Sequence, residues 1–228
     1  MILTTKLHKR ILRLKSTSSV YPEEGQRLTY LAAQVPEGGV IVELGSCWGR
    51  SACYLGSGLK HAGRRATIYC VDLWDLGVTT PERHRTPDVF ERFRNNLTYC
   101  GLWEYVTPIK SDTVTAATGW TRPIDLLFID AGHKYHEVLG DYLAWSPFVK
   151  PGGVIAFHDY LPGPQADVVR CIEEDVLPSG RWEFLALHRR LWTARRKMDA
   201  VESERRLRPT TKGVSYVPRS CLSRHRVY

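Results

Sequence analysis

Three groups of residues in this chain have the types and spacing to do chemistry. Asp130-Ala131-Gly132-His133 closes an apolar run, His158-Asp159 closes another, and Glu43-Leu44-Gly45-Ser46-Cys47-Trp48-Gly49-Arg50-Ser51 follows a third. If Asp130 and His158-Asp159 end neighbouring strands, they emerge side by side at one edge of a sheet. Two aspartates there can hold a divalent cation that makes a hydroxyl more acidic, and an imidazole such as His133 can take the proton near neutral pH. The glycine-bearing run suits a ligand instead. Gly45 permits a tight turn and close approach to the backbone, and Gly49 and Ser51 fall where a helix start offers free N–H groups to a carboxylate. Asp72, 27 residues beyond Gly45, ends a further apolar run and can accept from ribose hydroxyls.

The elements that must position these groups are legible as alternating short β-branched runs and longer helical stretches from Gly39 to Ala194, the pattern of βαβ units. The expected strands are Val40–Leu44, Thr67–Asp72, Val106–Lys110, Ile124–Asp130, Val154–His158, Trp182–Leu187 and Leu191–Arg195, with Arg189-Arg190 turning between the last two. Expected helices are Arg50–Lys60, Pro87–Cys100, His136–Phe148 and Gln165–Val176. The fold class is therefore doubly wound α/β, a Rossmann-like seven-stranded and mostly parallel sheet with an antiparallel C-terminal hairpin. Residues 1–38 form an N-terminal helical or lid segment, 39–196 the main domain and 197–228 a basic tail without sustained apolar period, expected to be disordered.

Charge separates body from tail. Residues 189–228 carry 12 Lys+Arg against 3 Asp+Glu, while everything before them sums to −1 within a total of +8. The apolar runs are too short to span a bilayer, and Lys6, Lys9, Arg10 and Arg13 interrupt any leader-like stretch, so a cytoplasmic location is expected. Six cysteines without a CxxC pair read as reduced, buried thiols.

These residues resemble class I S-adenosylmethionine-dependent methyltransferases. The shared features are acidic-x-Gly-x-x-x-Gly after the first strand, an acid ending the second, and Ser111-Asp112-Thr113 after the third. The run Leu127–Val138, with Asp141, and the run Lys150–Tyr160 are similar to the catechol O-methyltransferase-like and antibiotic-sugar O-methyltransferase group, over about residues 16–195. The resemblance implies methyl transfer to a hydroxyl oxygen of a small molecule or sugar. It places Glu43, Gly45, Gly49 and Ser51 about the methionine part of S-adenosylmethionine, Asp72 at the ribose, Asp112 or Thr113 at the adenine, and Asp130 beside the cofactor. It makes His133, with Asp130, catalytic, and it leaves open a divalent cation held by Asp130, Asp159 and His158. Relatives carry two adjacent acid or amide groups where this chain has His158 before Asp159, and an Asp-His-Asp set suits manganese or iron better than magnesium.

Other readings stay open at this stage. The arginine-rich tail can bind phosphate, so an RNA-directed methyltransferase is a rival. The near-neutral body and the Asp-Ala-Gly-His ending of the fourth strand count against it. A hydroxylase and a non-catalytic cofactor binder on the same scaffold are further alternatives, and the sequence says nothing of oligomeric state. For Trp74 three roles compete: stacking on adenine, closing a substrate lid and anchoring a loop.

Overall fold

The computed structural model describes residues 6–14, 20–75, 89–161, 163 and 166–198. Within these, the β-branched runs pair into one seven-stranded sheet: β1 (Val40–Leu44), β2 (Thr67–Asp72), β3 (Val106–Lys110), β4 (Ile124–Ile129), β5 (Val149–Phe157), β6 (Trp182–His188) and β7 (Leu191–Arg196). Their order is β3-β2-β1-β4-β5-β7-β6, and all pairs are parallel except β5 with β7 and β7 with β6. Strand order reverses between β1 and β4. That is where a crevice opens outside the carboxyl ends of a doubly wound sheet.

Alternation along the strands loads both faces. Ile41, Ile68, Leu126 and Phe128 pack under α2 (Pro22–Ala33), α3 (Arg50–Ala62) and α4 (Val89–Cys100), while α1 (Lys6–Leu12) adds Ile11 to that layer. Val42, Leu127, Ile129 and Phe157 face α6 (Tyr135–Trp145) and α7 (Ala166–Cys171). Burying a side chain of this size fully is worth roughly 1.5–3 kcal/mol, so the two layers fasten the helices to both faces of the sheet that carries the site.

Boundaries differ from expectation in instructive places. β5 begins at Val149, five residues early, because Lys150-Pro151-Gly152-Gly153 stays in the ladder as an irregularity, with Gly152 at φ +80° and a register shift against β4 between Ile124 and Leu126. β4 stops at Ile129, which frees Asp130 from the strand. The last helix is not uniform: α7 widens into a π turn at Ile172–Val176. A short helix α5 (Thr113–Ala116) starts on the Asp112 cap, whose carboxylate accepts from Thr115 N at 2.9 Å. The five cysteines of the described residues are free thiols. Residues 199–228 of the expected tail, and the loop following Asp75, lie outside the described residues. Among the described residues, no helix is long and apolar enough to cross a membrane.

Candidate functional site

Gly45 sits at the end of β1 with φ +83°, a conformation that glycine adopts without a Cβ penalty. A Cβ built on it would lie 2.3 Å from Asp130 O and 2.6 Å from Ala131 Cα. The loop after β1 thus touches the chain leaving β4, and any side chain at position 45 would force the two apart. Gly49, at φ +80°, caps α3, and Ser51 is buried in its first turn. Glu43 is not at the surface of the crevice. Its carboxylate is wholly enclosed beneath the loop, accepting from Ser46 Oγ at 2.6 Å and Cys70 Sγ at 3.2 Å, and burial pushes it up to about 7. It shapes the turn from below.

Asp72 braces the same loop. One oxygen accepts from Ser46 N (2.9 Å) and Cys47 N (2.8 Å), and the other from Trp74 N (2.6 Å). A carboxylate offers about four acceptor sites, so roughly one remains for a ligand hydroxyl, fewer than a contact to both ribose hydroxyls needs. Cys47 and Trp74 both hold positive φ, +47° and +46°, next to these bonds. Trp74 resolves as an anchor: its indole N–H donates to Cys47 O at 3.1 Å, and its ring packs 4.9 Å from both Phe90 and Phe93. Thr113 turns toward α6, donating to the buried Asp141 at 2.5 Å, while Asp112 stays exposed with one oxygen spent on its cap. Burial pushes Asp141 up to about 7.

The acidic and imidazole groups converge at the ends of β4 and β5. His133 Nε2 lies 2.8 Å from Asp159 Oδ2 and 4.0 Å from Asp130 Oδ1. Asp159 holds φ +57°, a backbone conformation uncommon for a non-glycine residue. His133 remains 45% exposed, while Asp159 is buried. The bond to Asp159 outweighs partial burial and raises His133 above its usual range, so it is more often protonated at neutral pH than a free imidazole. Burial alone would raise Asp159, but His133 and His158 hold it far below the usual carboxylate range.

His158 behaves differently from His133. Its Nε2 lies 3.0 Å from Glu24 Oε2 and its Nδ1 lies 3.1 Å from Asp130 Oδ1. Burial opposes its charge, yet Asp130, Asp159 and Glu24 together push it up to about 12. An imidazolium with both nitrogens facing carboxylates has no lone pair for a cation. The group whose ligand atoms converge here is Asp130, His133 and Asp159, all within 4.8 Å of one another, rather than the expected set with His158. Two carboxylates and one imidazole at this separation fit a divalent ion such as manganese or iron.

Two residues of this network carried no functional reading in the sequence. Glu24, in the first turn of α2, is fully buried and accepts from Tyr21 N (2.8 Å) and Arg190 N (3.0 Å) besides His158. Arg190, in the β6–β7 turn, places Nη1 2.8 Å from Asp159 Oδ1. The only sequence signals were an acid beside Pro22 at a helix start and two arginines in a hairpin turn, both ordinary surface patterns.

Residues 42–160 match the model of a family described as a methyltransferase domain. Among solved structures, an O-methyltransferase from Bacillus cereus in complex with SAH is 18% identical, with 86% of this chain and 93% of that one covered and a TM-score of 0.62. TomG from Streptomyces achromogenes, an O-methyltransferase of tomaymycin synthesis in complex with SAM, is 15% identical over 86% and 92%, with a TM-score of 0.59. A protein from Clostridium thermocellum provisionally described as an rRNA methylase is 14% identical over 75% and 95%, with a TM-score of 0.55. At these identities the likenesses establish the fold.

Proposed function

The chain belongs to the methyltransferase-domain family, and from that premise we propose that it transfers a methyl group from S-adenosylmethionine to a hydroxyl oxygen of a small molecule. The observation that carries this reading is the Gly45 loop lying directly against Asp130, which brings the cofactor cradle and the acid–histidine cluster to one crevice at the point where strand order reverses. When bound, S-adenosylmethionine supplies an electrophilic methyl carbon on a sulfonium sulfur. The Gly45 turn, a cradle that a Cβ would fill, and the α3 start would hold its amino-acid end, and Asp72 would take one hydroxyl of its ribose.

His133 is the proton acceptor. Asp159 fixes its Nε2 at 2.8 Å, which leaves Nδ1 to receive the acceptor hydroxyl's proton. Arg190 and His158 keep Asp159 ionised, so the imidazole keeps its orientation. A divalent ion on Asp130, His133 and Asp159 would instead supply Lewis acidity at the hydroxyl. Mass spectrometry of hydroxyl acceptors incubated with the protein and S-adenosylmethionine tests the assignment. Gain of one CH2 with stoichiometric demethylated cofactor is expected; gain of one oxygen, or no turnover over a broad phenol and sugar panel, contradicts it.

A further inference from the structure

A second concavity lies at the opposite edge of the sheet. It measures about 500 Å³ and runs between the end of α2 at Gln34–Pro36, the Lys150–Gly153 turn entering β5, and Arg195 on β7. Asp125, in its wall, and Asp130 are five residues apart along β4, roughly 16 Å of extended chain, so this concavity is distinct from the crevice above.

Its charges are unbalanced. Lys150 is paired with Asp125, which also accepts from Val40 N at 2.8 Å. Arg27 and Arg195 face the same space with no carboxylate of the described residues within ion-pairing distance; Glu183, opposite Arg195 in the β6–β7 ladder, does not reach it. Arg27 lies 5.3 Å over the Tyr30 ring, and its Nε is buried without a hydrogen-bond partner. Burial first, and the charge of Arg195 after it, work against the Arg27 charge. With Asp125 taken by Lys150, two further like charges at one cavity are stabilised by an anion that reaches both. Leu31, Val35, Leu126, Val154 and Leu185 give the wall its apolar part, beside Tyr30, Gln34 and the Pro151–Gly153 turn.

We propose that this cavity binds a small organic anion, a phosphate or carboxylate on an apolar body, with Arg27 and Arg195 on the charged group and the leucine and valine side chains around the body. The volume falls within the range of small-molecule sites, and the concave, half-apolar wall suits a compact ligand better than an extended polyanion. Nothing in this depends on the chemistry at the other edge.

Calorimetric titration of the full chain with phenyl phosphate, and separately with benzoate, tests it. Saturable one-to-one binding is expected, with the tighter probe identifying the preferred charged group. Arg27→Gln combined with Arg195→Gln should weaken binding by about tenfold or more, the loss of one charge-assisted contact or better. Gln34→Glu, at an exposed position in the same wall, should weaken it without threatening the fold. Asp72→Ala should leave it unchanged. Absence of saturable binding of both probes, or affinity retained in both cavity variants, overturns the proposal. So does mixed-sequence single-stranded RNA binding that both variants abolish while neither small probe binds, which would make the edge a polyanion surface.

Discussion

Replacing Glu24 with Gln probes the network that sets the catalytic geometry from outside the strand ends. Glu24 is fully buried and accepts three bonds, from Tyr21 N, Arg190 N and His158 Nε2 at 2.8–3.0 Å. Glutamine keeps one acceptor oxygen: at the Oε2 position it serves Tyr21 N and His158 but turns its N–H2 on Arg190 N, and at the Oε1 position it serves Arg190 N but turns its N–H2 on Tyr21 N and His158, so either way a donor meets a donor. His158 stays charged, since Asp130 and Asp159 still oppose its neutralisation. Removing one partner of a buried pair costs about 3–5 kcal/mol, and because two carboxylates remain near His158 the lower end, about 3 kcal/mol, is expected. Urea denaturation should show the midpoint falling by about 1–1.5 M at unchanged slope. His158→Gln should be costly alone, and the double variant should be less destabilised than the two singles combined by at least about 1.5 kcal/mol. A loss under about 0.5 kcal/mol for Glu24→Gln, or strict additivity, would refute the buried pair. Affinity for the demethylated cofactor should change little, because Glu24 contacts the β5 end and not the Gly45 loop.

His133→Ala should lower turnover by about 10²–10⁴-fold with cofactor affinity intact, and the wild-type rate should climb along a limb lying above pH 6.5, since the Asp159 bond raises this imidazole; a loss of only a few-fold in stopped assays contradicts the base role. Asp72→Ala should weaken cofactor binding by about 1.5–3 kcal/mol and speed hydrogen exchange at Ser46 and Cys47, whose N–H groups it holds; slow exchange in the variant would dissociate the acid from the loop. Asp141 rises from 3.8 to about 7 in the folded state, so between pH 4 and 7 the unfolded chain ionises first and stability is lost as pH rises. Asp141→Asn should gain on the wild type across that window by up to about 4 kcal/mol, and a pH-independent difference in unfolding free energy would contradict the shift. Activity lost in excess chelator and restored by manganese would place an ion on Asp130, His133 and Asp159; full activity in chelator would leave His133 to act alone.

How far these groups were legible in the sequence follows from the range of the interactions involved. The strand-end chemistry was readable because short, nearly continuous apolar runs stop at Leu44, Asp72 and Ile129, so whatever follows must sit at one edge. The hairpin was readable from Arg189-Arg190 between two runs. Glu24 and Arg190 were not, because the contact between Glu24 and Arg190 spans 166 residues and depends on α2 docking beside a turn that nothing local dictates. The tautomer and charge of His158 were also illegible: a His before a strand-end Asp reads as a ligand until the buried Glu24 beyond it is seen. Asp72 is the reverse case: its strand-end position was legible, while the three N–H groups it accepts from arise from loop conformations with positive φ at Cys47 and Trp74.

A crystal structure of the full chain grown with S-adenosylhomocysteine tests the central claim most directly, because it needs no knowledge of the acceptor. The amino-acid end should lie on the Gly45 turn and the α3 start, a ribose hydroxyl should reach Asp72, and the sulfur should face the space beside His133 and Asp130. Density for the ligand elsewhere, or a Gly45–Asp130 contact that leaves the crevice empty at saturating ligand, would contradict the account.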